Sequence, residues 1–101
     1  MTNTEKVFRV LLEFKRYKGG EQAWFSFCLE RGLVAKGPTQ EESVEGMLTI
    51  VGLDLEYYEK HPHIQMRRPC DQNEFDRYER AVDVSVVEGE GFSLKIKEEK
   101  S

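Results

Sequence analysis

The stretch from Gly32 to Tyr58 constrains this chain most. It begins Gly-Leu-Val-Ala-Lys-Gly-Pro-Thr-Gln-Glu-Glu-Ser and reads as a short strand that stops at Gly37-Pro38 and turns directly into a helix. Thr39 is the expected N-cap, with Glu42 three residues on, where a capping box places its acidic partner. Such a cap contributes ~1 kcal/mol. Val44, Met47, Leu48, Val51, Leu55 and Tyr58 then recur at three- and four-residue steps, one apolar stripe on a helix of period 3.6. The helix is expected from about Gln40 to about Lys60, ~30 Å long, and His61-Pro62 ends it because a residue before proline disfavours the α region.

An amphipathic helix of this kind needs a sheet to cover it, and the flanking sequence supplies strands. From Lys6 to Phe14, Phe8, Val10, Leu12 and Phe14 form one face while Val7, Arg9, Leu11 and Glu13 form a mixed one. Two partly apolar faces mark a central strand or one with an oligomer contact behind it. Lys15 to Glu21 is a hairpin loop in which Gly19-Gly20 supplies positive φ. In the second strand, Gln22 to Glu30, Ala23, Phe25, Phe27 and Leu29 alternate with Trp24, Ser26 and Cys28. The first set is expected to face the helix, leaving Trp24 on the opposite face. Leu33 to Lys36 is a short third strand. Asp71-Gln-Asn-Glu opens a short second helix from about Gln72 to about Glu79, with an irregular connection as the alternative. From Ala81 the period returns to two: Val82, Val84 and Val86 face Phe92, Leu94 and Ile96 across a turn at Gly89-Glu-Gly91. Residues 1–5 are expected to fray, and 98–101 form a polar tail.

The resulting expectation is one α+β domain over residues 1–101: a core at 6–60, a connection at 61–80 and a C-terminal hairpin at 81–97. An antiparallel sheet carries one long helix on one face. At 101 residues the chain is too short for two cores.

Composition narrows the function classes. The formal charge of −4 disfavours nucleic acid as the main partner and suits a basic one. No apolar run reaches the roughly 20 residues of a membrane span, and Met1 to Lys6 lacks the apolar segment of a signal peptide. The expected location is the cytoplasm, with Cys28 and Cys70 as reduced thiols. His61-Pro62-His63 is the one local motif with ligand character, but a metal centre would need Cys70 and an acid to complete it, and no Cys-x-x-Cys or helix-spaced histidine pair is present. A solvated pair at a helix end accounts for it. No nucleophile elbow or phosphate-cradling glycine pattern occurs. Phe25 and Phe27 are assigned to the core rather than to an RNA-stacking sheet. No catalytic residue, cofactor or metal is therefore expected.

The segment from Trp24 through Tyr58 resembles the HicB-like antitoxin family, whose hallmark runs from an aromatic strand through a Pro-Gly link and a short strand to a Gly-Asp-Thr-x-x-Glu-Ala helix start. The matching residues are Trp24, Gly32, Val34, Ala35, Gly37, Thr39, Glu42, Leu48 and Leu55. With the upstream strand, the resemblance covers about residues 6–60. Arg31 stands where a proline is usual, Pro38 replaces the Asp and Ser43 replaces the Ala. Residues 81–97 read as a hairpin where many members carry a ribbon-helix-helix or helix-turn-helix DNA-binding module.

The resemblance implies a partial RNase H-like core without a DNA-binding domain. It implies a non-catalytic antitoxin of a type II toxin–antitoxin pair, or a descendant, that neutralises a small basic HicA-like ribonuclease toxin. Trp24, Arg31, Glu41, Glu45 and Glu56 are the expected partner-binding residues, and a homo-oligomer is expected. One alternative is a stand-alone homo-oligomeric interaction or regulatory protein. Another is a degenerate nuclease-like enzyme, for which only Glu13 and Asp83 are even loosely placed.

Overall fold

The computed structural model describes residues 6–65 and 67–99. In chain order these form β1 (Lys6–Arg16), β2 (Gln22–Cys28), β3 (Leu33–Gly37), α1 (Gln40–Lys60), α2 (Gln72–Arg80), β4 (Val82–Glu88) and β5 (Phe92–Glu98). The strands make one sheet in the order β3-β2-β1-β5-β4. The fold is α+β, with α1 across one face of the sheet and α2 against the other. The frayed start expected at 1–5 and the last two residues of the tail lie outside the described residues.

β1 occupies the centre, which accounts for its two apolar faces. Phe8, Val10 and Leu12 join Met47 and Val51 of α1 in the main core. Leu11, on the other side, packs with Leu29 and with Tyr78 of α2. The sheet is mixed rather than wholly antiparallel: β1 pairs with β2 antiparallel but with β5 parallel. Of the two C-terminal strands, β5 carries the fully apolar alternation Phe92, Leu94, Ile96, so burial draws it beside β1 and leaves β4 at the edge. The hairpin register also differs from the expected one. A bulge between Asp83 and Ser85 puts Ser85 opposite Ile96 and Val87 opposite Leu94. Val86 therefore stands opposite Lys95 rather than Leu94 and stays exposed, by 62%, and Val82 and Val84 at the edge are exposed as well.

Both ends of α1 follow local signals. The hydroxyl of Thr39 accepts from the Glu42 N–H at 3.1 Å, and the helix stops at Lys60, where the N–H of His61 still bonds the Tyr57 carbonyl. α2 begins after Asp71 without a side-chain cap.

The facing of β2 is the reverse of the expected one. Trp24 and Cys28 pack toward α1 with the main core, while Phe27 packs with the α2 cluster. Ser26 decides this. It is fully buried, donating to the Ser43 carbonyl of α1 at 3.1 Å, and Ser43 donates to its hydroxyl at 3.1 Å. A small satisfied hydroxyl lets the helix lie close to the strand, where a phenylalanine would hold it off. Gly37 belongs to the same close approach, since a Cβ there would lie 2.7 Å from the Ser43 nitrogen.

Candidate interaction surface

α1 packs chiefly over β3 and β2. Its opposite flank consequently overhangs the β5–β4 half of the sheet and forms a shallow groove. Near the start of the helix the groove is bounded by Glu41, Val44 and Glu45 on one side and Val84 and Val87 on the other. Farther along, Leu48, Leu55, Glu56 and Glu59 face Glu90 and Phe92. These positions repeat at helical spacing, so an apolar floor runs beneath an acidic rim. Among the described residues Glu41, Glu45 and Glu59 hold no ion pair. Glu56 pairs only with Lys60, at 2.9 Å and in the open, where screening leaves little energy. The rim charge is thus available to a cationic partner.

Of the five expected binding residues, Glu41, Glu45 and Glu56 come together on this flank. Trp24 lies on the same side of the sheet but is half-buried in the core, its ring 5.0 Å from that of Phe14. It is not the exposed anchor on the far face that alternation implied. Arg31 is 8% exposed. Its Nε donates to Asp54 Oδ2 at 2.8 Å, and its guanidinium stands 5.5 Å from the Tyr58 ring centroid. A contact to a partner would first have to break that pair. The groove's second wall was not foreseen. Val87 reaches it because the bulge in β4 sets it opposite Leu94, a shift that no sequence period announces.

The titratable groups elsewhere serve the fold. Burial pushes the Cys28 thiol up to about 12, so it stays protonated at neutral pH. Cys70 is also raised, again mainly by burial. Neither has the character of a nucleophile. Glu13, one of the two acids considered for a nuclease, accepts from Arg77 at 2.7 Å, and the same guanidinium binds Glu99. A cation of the protein itself therefore holds these two carboxylates, and it lowers the Glu99 pKa. Asp83 stands opposite Lys97 in the register of β4 and β5. The His61 ring stacks on Tyr57 with centroids 4.4 Å apart. Among the described residues no three His, Cys, Asp or Glu side chains gather as a metal-binding set, and no helix is long and apolar enough to cross a membrane. No protein-family model, no curated protein and no solved structure matches this chain.

Proposed function

We propose that the chain is a non-catalytic binding protein of the HicB-like kind, an antitoxin or a descendant of one, that captures a small basic HicA-like ribonuclease. The groove between α1 and β4–β5 carries this reading. Its apolar floor offers burial, and its exposed rim glutamates offer charge complementarity, which chiefly speeds encounter and selects among partners. A basic amphipathic element of the partner would lay its apolar side on Val44, Leu48 and Leu55 and its cations against Glu41, Glu45 and Glu56. Co-expression with the product of the adjacent reading frame tests the reading. A stable complex with a small basic protein is expected, and a charge-reversed Glu41→Lys, Glu45→Lys variant should release it.

A second reading, a homo-oligomeric interaction or regulatory protein, draws on β4. Among the described residues this edge strand presents Val82, Val84 and Val86 to solvent, the kind of edge that pairs with another chain. Sedimentation of the isolated protein separates the two. A monomer favours the first reading; a dimer that the Val86→Lys variant dissociates favours the second.

A further inference from the structure

The reversed facing of β2 places its aromatic pair on the side of the sheet away from α1, and there Phe25 meets the lysines Lys15 and Lys36. Phe25 lies between Glu13 and Lys36 in the register of β1, β2 and β3. Its ring and that of Phe27 are close to parallel, 19° apart in plane with centroids 6.4 Å apart. α2 reaches Phe27 but leaves Phe25 outside both core clusters. Lys15 Nζ stands 5.4 Å and Lys36 Nζ 5.9 Å from the Phe25 centroid. Lys36 also lies 5.7 Å from the ring of Tyr17, which is itself exposed. The adjoining turn continues the pattern as Lys15-Arg-Tyr-Lys.

Charge is distributed unevenly over the molecule. Among the described residues Arg16, Lys18 and Lys36 hold no ion pair, and Lys15 reaches only Glu13, at 3.8 Å. The acid rim of α1 lies on the other face of the sheet. A net charge of −4 therefore conceals a local basic patch with two aromatic rings in it. Cations alone would suit any anion. Rings beside cations suit a ligand that alternates phosphate with a flat π-face, the arrangement by which sequence-tolerant single-strand binders work. Gly19 and Gly20, with positive φ and nothing within 4 Å of either, leave the space beside the turn open to a ligand.

We infer that the Phe25–Tyr17 face, with Lys15, Lys36 and the turn between β1 and β2, binds single-stranded nucleic acid, bases stacking on the rings and phosphates lying against the lysines. This site is separate from the acidic groove and does not depend on the antitoxin reading.

Fluorescence anisotropy of the full chain tests it, with labelled oligouridylate and oligothymidylate of about twelve nucleotides at ~50 mM salt. Saturable binding of either strand is expected, and the tighter one identifies RNA or DNA as the source. Lys36→Glu should weaken it about tenfold or more, and Phe25→Leu about fivefold or more. Lys60→Glu, at the far end of α1, should leave it unchanged. A circular-dichroism melt of each variant establishes that it is folded. The proposal is overturned if neither strand binds, or if the folded Phe25→Leu protein binds as well as the parent. It is equally overturned if an RNA duplex, an oligoglutamate or a phosphatidylserine vesicle competes as strongly as the single strand, since that outcome describes a plain cationic surface.

Discussion

Arg31 and Asp54 form a buried ion pair, Nε to Oδ2 at 2.8 Å, that joins the turn between β2 and β3 to the middle of α1. Arg67 closes the arrangement from outside, donating to the other carboxylate oxygen at 2.8 Å. One carboxylate thus fastens the sheet, the long helix and the connection that follows it.

Removing that carboxylate should cost far more than removing the outer arginine. Asp54→Ala removes the buried carboxylate that both Arg31 and Arg67 bind, and a loss of about 3 kcal/mol is expected. Arg67 is largely solvated, so Arg67→Ala should cost less than about 1 kcal/mol. Urea denaturation of the two variants measures the difference.

Gly32 is a second fastening point. Its φ is +63°, and a Cβ there would lie 2.0 Å from the Arg68 carbonyl oxygen. Gly19 has φ +97° with nothing nearby. Alanine at Gly19 adds backbone strain alone, ~1–2 kcal/mol, whereas alanine at Gly32 must also displace residues 67–68. Gly32→Ala should be the more damaging by thermal melting, and it should raise hydrogen exchange at the Cys70 amide, which bonds the Leu29 carbonyl at 2.9 Å.

Acid should weaken the fold partly through Glu99. Its hydrogen bonds to Arg77 lower its pKa in the folded state. A lowered carboxylate pKa contributes stability above the unfolded value, ~4.3, and that contribution is lost as pH falls through the folded value. Half-exposure and salt limit its size. Stability measured by urea titration should therefore fall less steeply below about pH 4.5 in Glu99→Gln than in the parent.

The two thiols should differ in reactivity. Cys28 is fully buried with its thiol raised to about 12, while Cys70 is only partly covered. In the native protein near pH 8, an alkylating reagent followed by mass spectrometry should modify Cys70 first and Cys28 only on unfolding.

These features differ in how far the sequence announced them. α1 was legible to the residue because its signals are local: Thr39 and Glu42 at one end, His61-Pro62 at the other. The centrality of β1 was legible from its two apolar faces. Hydrophobic alternation alone turns Phe25 and Phe27 inward, whereas the close approach of α1 selects the small Ser26 for the inner side. Asp54 falls among the helix's acids with nothing local to set it apart. Its burial depends on Arg31, distant in sequence, and no period carries that information. The bulge in β4 is likewise hidden, and with it the place of Val87 in the second wall of the groove. Glu41, Glu45 and Glu56 were foreseen as acidic and exposed, but the depression they border exists only once β5 has paired with β1.

The acidic groove is the centre of the functional account. The most direct test is a calorimetric titration of this protein with whatever the adjacent reading frame encodes, a small basic protein on this account. The account predicts a saturable complex that weakens with salt, and at least tenfold weaker binding by a folded Glu41→Lys, Glu45→Lys variant. No binding, or equal binding by parent and variant, would contradict it.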